Sequence, residues 1–299
     1  MSNPISFKMP SFSPAWFYLA PTLLFISLLV IVPLVTGISY AFYNFDLLAG
    51  TKEFAGLDQF KKLLSEDTVF VQSLVNMLFW TSASLFFQFS LGLGLALLLN
   101  SGFRGIKIIQ PILFIPWAVP SFLIGLMWIW MFNPVTGPLP HIFEAIGLMD
   151  TPENILSDPD HAMWGPIVAN VWFGIPFFTI MLLAALRSIP TDIYEAADMD
   201  GVSDFQAFRY ITVPLIAPTI LITLLIRAIW IANFAEIIIV MTNGGPANST
   251  QILSTYIYDT AYQKMNFGYA SVISIALLFL LMIYGFALGR IRQKMPTYV

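Results

Sequence analysis

IPTDIYEAADMDGVSDFQAFRYITVPLIAP, residues 189–218, is the most polar segment between two long apolar runs. Pro190-Thr191 offers a helix start, with Thr191 as N-cap, and Asp192 and Glu195 lie where a helix dipole favours acids. Gly201 is a natural stop. Ser203 and Gln206 have the spacing of a capping box that opens a second short helix, and Pro214 marks the next expected boundary. Ile193, Ala196 and Ala197 share one helical face, and Phe205, Phe208 and Ile211 share another. Two short helices with apolar faces and a sharp turn between them need a partner surface.

Charge narrows the kind of partner. From Asp192 to Asp204 the stretch carries Asp192, Glu195, Asp198, Asp200 and Asp204, and no base until Arg209. A helix resting on anionic lipid carries Lys or Arg on its polar face, so this run favours a basic protein surface.

The flanking sequence fixes the class. Of the 299 residues 58% are apolar and 10% charged, against about 25% charged in a soluble domain. Mean hydropathy is +0.80. Six apolar runs reach the roughly 20 residues that a bilayer core requires: 17–41, 78–99, 108–132, 166–186, 214–240 and 269–288. The expected fold is an all-α, polytopic membrane bundle of six helices, a single unit over residues 1–299, with the polar loop at about 187–213 facing the cytoplasm. The first run reads as a retained helix rather than a cleaved signal. With no cysteine, disulfides and thiol chemistry are excluded. Nothing implies a nucleic-acid partner.

Orientation follows from the basic residues. With the N-terminus inside, Lys8, Arg104, Lys107, Arg187, Arg209, Arg290, Arg292 and Lys294 lie inside, against Lys52, Lys61, Lys62 and Lys264 outside. Both termini are therefore expected in the cytoplasm.

Within this frame, Glu195-Ala196-Ala197, then Gly201, then Ile211-Thr212-Val213-Pro214 resembles the EAA loop of ABC importer permeases, with Val213 in place of the usual Leu. Asp198 to Asp200 and Phe208 fit its sugar-importer branch. Asn233-Phe234-Ala235-Glu236 followed by Thr242-Asn243-Gly244-Gly245-Pro246 resembles a second segment of the maltose-type and glycerol-phosphate-type permeases. There, relatives often have Phe at the position of Ala235 and Asp at that of Glu236. Gly56-Leu57-Asp58-Gln59-Phe60 resembles a segment common after their first helix, with Gln59 for Asn. The resemblance implies a bacterial inner-membrane subunit that carries no catalytic residue or cofactor itself. It implies two separate ATPase subunits holding ATP and Mg, a second permease subunit, an extracytoplasmic solute-binding protein and a carbohydrate cargo. Glu195, Ala196, Ala197, Asp200 and Gly201 would then couple to the ATPase.

Candidate pathway residues lie in two spans. Asn170-Val171-Trp172-Phe173-Gly174-Ile175-Pro176-Phe177 combines an amide with rings that can stack on a sugar, and Gly-x-Pro permits a break in the helix. The resemblance places Asn170, Trp172, Phe173, Gly174 and Phe177 on the pathway, Phe177 standing where some relatives carry Tyr. Arg227 is a strong base deep in an apolar run, where burial costs at least about 2.5 kcal/mol, so a partner or wet cavity is required. Asn233 and Glu236 complete the set. Glu236 lies nine residues beyond Arg227, about 13.5 Å along a helix and on the other face, so the two do not pair within one helix.

Other features read as structure. Pro111, Pro116 and Pro120 in the third run, like Pro21 and Pro33 in the first, suit ordinary kinks or a gated pathway. The second run carries Thr81, Ser82, Ser84, Ser90, Gly92 and Gly94, plus Gln88, which suits close packing. The outer loop 133–162 holds five acids and both histidines, His141 and His161, without the convergence a metal needs. Gly244-Gly245-Pro246 suits an outer re-entry loop, and Tyr256, Tyr258 and Tyr262 an interfacial band.

Two other classes compete. An ion-coupled secondary carrier uses buried acids or histidines, whereas Glu236 is the one acid within these runs. A membrane enzyme needs a reactive cluster that the sequence does not supply. The chain also lacks a phosphate-binding G-x-x-x-x-G-K-[ST] loop.

Overall fold

The computed structural model describes residues 15–102 and 104–293. Lys8 and Lys294, counted above for orientation, lie outside the described residues. Helices dominate, and long apolar ones form the bundle: α1 (Phe17–Tyr40), α3 (Thr68–Asn100), α7 (Trp164–Arg187), α9 (Val213–Asn233) and α12 (Phe267–Gln293). The third apolar run forms two helices, α4 (Ile106–Ala118) and α5 (Ser121–Met131), bent by 100° at the junction. Of its three prolines, Pro111 and Pro116 are accommodated within helix. Pro120 is not, because a residue before proline is driven out of the helical region, and Val119 sits at φ −90°, ψ 126°. This run is therefore a pair of helices bent at a break, as in a broken span or a re-entrant loop, rather than one kinked helix.

One further expectation is corrected. Gly174-x-Pro176 does not break α7, which runs unbroken for 24 residues. Gly174 serves close approach instead: a Cβ there would fall on the side-chain amide of Gln88, and one at Gly92 would fall on Phe178. The two glycines let α3 and α7 interlock, and a continuous α7 is what that interface requires. Pro214 stands in the first turn of α9, at the boundary it marks, where its missing N–H costs nothing; a π-helical turn, Phe208–Thr212, leads directly into that helix.

The polar loop forms α8 (Thr191–Met199). Its cap is Pro190 rather than Thr191, one residue earlier, with extended ψ of 137°. It ends at Gly201, φ +72°, where Gly201 donates to the Asp198 carbonyl and Val202 to that of Ala197. That paired pattern needs the left-handed conformation that glycine adopts freely. Gln206 turns back to accept from the Ser203 amide at 3.0 Å, as the capping box requires. The Tyr194 and Thr212 hydroxyls lie 2.8 Å apart and tie α8 to the base of α9.

One element has no counterpart in the sequence reading. β1 (Tyr43–Asp46) and β2 (Thr51–Phe54) pair as an antiparallel hairpin just after α1. α2 (Asp58–Ser65) follows, and Gln59, in place of the common Asn, donates to the Tyr43 carbonyl and pins the hairpin. Beyond α6 (Pro138–Ala145), the outer surface is completed by α10 (Glu236–Met241) and α11 (Leu253–Tyr258). Residues 242–250 close on themselves through Thr250, whose hydroxyl lies 2.7 Å from both the Thr242 hydroxyl and the Gly245 carbonyl. Tyr258 and Tyr262 are exposed and in contact, their rings tilted by 38°, as a band allows, but Tyr256 is buried and turned to Asp67. The most exposed span is α1, which packs on α12 along Val32–Tyr40 and presents Phe17, Tyr18 and Leu29 outward.

Candidate functional site

Where α3, α7 and α9 meet, a cavity of about 350 Å³ is lined by Asn170, Phe173, Arg227, Trp230, Ile231, Asn233 and Phe234. Arg227 is 3% exposed, and its Nε donates to Gln88 Oε1 at 2.7 Å. Gln88 is itself fully buried and donates through Nε2 to the Asn170 carbonyl at 2.9 Å. A chain of neutral groups thus links the base on α9 to the backbone of α7 through an amide on α3. The requirement that Arg227 have a partner and a cavity is met by both.

Gln88 was grouped by sequence with the small packing residues. Its signal was being a long amide in an otherwise uncharged run, and that signal gains meaning only when Gly174 opens the space it occupies.

The rest of the site is unfinished in hydrogen-bonding terms. Among the described residues, Arg227 Nη2 has no partner, and neither side-chain atom of the fully buried Asn170 has one. Buried polar groups are satisfied nine times in ten or more, so three unpartnered atoms on two cavity-lining residues set this place apart as polar and under-bonded. Rings surround the base: its guanidinium carbon lies 5.6 Å from the Phe173 ring and 5.9 Å from that of Phe177. Phe173 stacks on Phe234 at 5.5 Å, and Phe177 meets Trp230 at 5.3 Å and Trp117 at 6.2 Å.

The sequence-predicted pathway residues therefore divide. Asn170, Phe173, Arg227 and Asn233 line the cavity, with Phe177 beside it. Asn233 is exposed and donates to the Ile229 carbonyl of its own helix at 2.8 Å. Gly174 acts from behind, by admitting Gln88. Trp172 points the other way and packs on Trp128 of α5 at 6.2 Å. Glu236 opens α10 and accepts from the Ser121 hydroxyl at the start of α5. It thus joins the two breaks in the bundle, while Gly125 lets α5 close on Val240.

In the polar loop, Glu195, Ala196, Asp200 and Gly201 are exposed, together with Asp192, Asp198 and Asp204. Ala197 is buried at 6% exposure, so it seats α8 on the bundle instead of facing outward. Met199, Phe205 and Tyr210 are at least 74% exposed, which leaves an acidic surface studded with uncovered apolar groups. In the loop before α7, His161 Nδ1 lies 2.6 Å from Asp158 Oδ2, and no group of three or more metal-ligating side chains converges among the described residues.

The family described as binding-protein-dependent transport system inner membrane component matches residues 88–295. The trehalose/maltose transport system permease protein MalF of Thermococcus litoralis is 34% identical over 256 residues, covering 85% of each chain. A chain from a bacterial ABC transporter, involved in the import of the acidic polysaccharide alginate, superposes with a TM-score of 0.82. It is 25% identical, over 95% of this chain and 96% of that one. A second structure of a bacterial alginate ABC transporter, in complex with its pentasaccharide-bound periplasmic protein, gives 0.79 at 26% identity and 92% coverage of both chains.

Proposed function

Since this chain belongs to the binding-protein-dependent transport system inner membrane component family, we propose that it forms part of the path for a carbohydrate through an ATP-driven importer. The cavity around Arg227 is where the cargo is held in passage. The observation that carries this reading is the unfinished polar site walled by rings: sugars offer hydroxyls to open donors and apolar faces to aromatics. Transport, not catalysis, is the activity of the family, and the chain itself lacks the phosphate-binding loop of an ATPase.

The assembly implied is a second permease subunit beside this one, two ATPase subunits at the cytoplasmic face and a solute-binding protein outside. Both termini and the α8 surface lie in the cytoplasm in this reading, as the basic residues favour. ATP-driven closure of the ATPases would move α8, and Tyr194–Thr212 would pass that movement to α9 and hence to Arg227. An ion-coupled carrier finds little support, because Glu236 is exposed and engaged by Ser121.

The test is co-purification of the tagged chain from its native membrane, with uptake measured alongside. An ATPase and a second permease are expected to remain bound. Glu195→Lys or Gly201→Pro should leave the chain inserted, weaken its hold on the ATPase and reduce uptake. A chain that purifies alone and transports without ATP, or variants with normal assembly and uptake, would overturn the reading.

A further inference from the structure

We propose that the cargo presents an anionic group, a carboxylate or sulfonate on its sugar framework, to Arg227. This rests on the carbohydrate reading above and specifies its chemistry. The named cargos of similar transporters include trehalose/maltose, which is neutral, and alginate, which is acidic, so similarity does not decide the charge.

The geometry does. Among the described residues, Arg227 is the one charged side chain lining the cavity, and it is almost wholly buried. A guanidinium in that position stays protonated and carries five donors. Its hydrogen-bond partner, Gln88 Oε1, is neutral, and Gln88's amide is committed to the Asn170 backbone. Two ring faces at 5.6 and 5.9 Å attract the guanidinium but bring no negative charge to compensate it. The acid nearest to it in sequence, Glu236, opens the separate helix α10 and is held by Ser121. A neutral sugar would satisfy donors but leave the charge uncompensated. A carboxylate or sulfonate satisfies both.

The experiment uses the complete transporter in proteoliposomes and reads ATP hydrolysis stimulated by matched saccharide pairs. The probes are glucuronate- and galacturonate-containing disaccharides and a 6-sulfonated glucoside, each beside its neutral counterpart. The quantity is the anionic-to-neutral ratio in the wild type divided by that in Arg227→Gln, which leaves any selectivity of the binding protein constant. A fall of about tenfold or more is expected in Arg227→Gln, with assembly retained. Arg227→Lys, which keeps the charge, should keep most of the preference. An unchanged ratio, or stimulation by neutral members equal to that by anionic ones, overturns the proposal and leaves the carbohydrate reading standing. Loss of assembly in Arg227→Gln but not in Arg227→Lys also overturns it, by assigning the charge to an acid of the neighbouring subunit. Stimulation by no saccharide of either set removes both readings.

Discussion

Asp67 at the start of α3 and Arg227 inside the bundle are both charged groups held by several helices, yet one is finished and the other is not. Asp67 caps α3 through the Phe70 amide at 2.9 Å, and its second oxygen accepts from the Tyr256 and Tyr269 hydroxyls at 2.7 and 2.6 Å. Burial pushes its pKa up, but those hydroxyl and amide bonds outweigh it and hold the carboxyl below its ordinary 3.8. Burial and the Asp67 charge correspondingly push the Tyr256 hydroxyl far up, so it remains a donor. Arg227 and Asn170 retain three atoms without partners in a cavity. A satisfied cluster fastens elements together; an unsatisfied one at equal or greater burial is kept at a cost to stability, for something that arrives.

Substitutions can break that contrast from either side. The largest effect is expected from Gly174→Leu, which drives Gln88 out of the space between α3 and α7 and strands its buried amide. A loss of about 4 kcal/mol is expected from overpacking and the broken bonds together, read as failed assembly or a collapsed thermal melt. Gly94→Leu on α3, where nothing lies within 4 Å, is the control and should change stability by less than about 0.5 kcal/mol.

Asp67→Asn should cost about 2–3 kcal/mol by removing the charged acceptor from two hydroxyls, and should leave cargo preference untouched. Because the folded pKa is lowered, the Asp67 contribution is complete above pH 3.8 and is lost as pH falls through the lower folded value. The melt of the variant should therefore converge on that of the wild type in acid. A changed cargo preference in Asp67→Asn would erase the distinction between the two clusters.

The smallest effect belongs to an exposed pair of the same kind. The Asp158 hydrogen bond and charge push His161 above its ordinary 6.5, so its stabilisation is present below that pH and lost as pH rises through the folded value. Asp158→Asn should lower the His161 titration midpoint, observed by NMR, without altering uptake. An unmoved midpoint would contradict the contact.

Much of this was legible in the sequence. Spans follow from apolar length, and the end of α8 from Gly201, because each depends on one local rule. The Gly174-x-Pro176 and Val119-Pro120 steps show where local rules stop. Both contain proline, yet α7 continues because α3 interlocks with it, while the third run folds back. Gln88 marks the same boundary: its role exists only where three helices meet. The β1–β2 hairpin was hidden because its hold comes from Gln59 and from Asn266, which bridges to Asp46 far along the chain.

The most direct measurement is the melting temperature and per-molecule uptake of the assembled transporter carrying Asn170→Leu. Two unpartnered buried polar atoms cost stability in the absence of an occupant, so a similarly sized apolar side chain should raise stability by about 1–3 kcal/mol. The account predicts that gain together with a fall in uptake. A fall in stability with uptake per molecule unchanged would show that Asn170 is a packing residue, and that the cavity around Arg227 is not where the cargo is held.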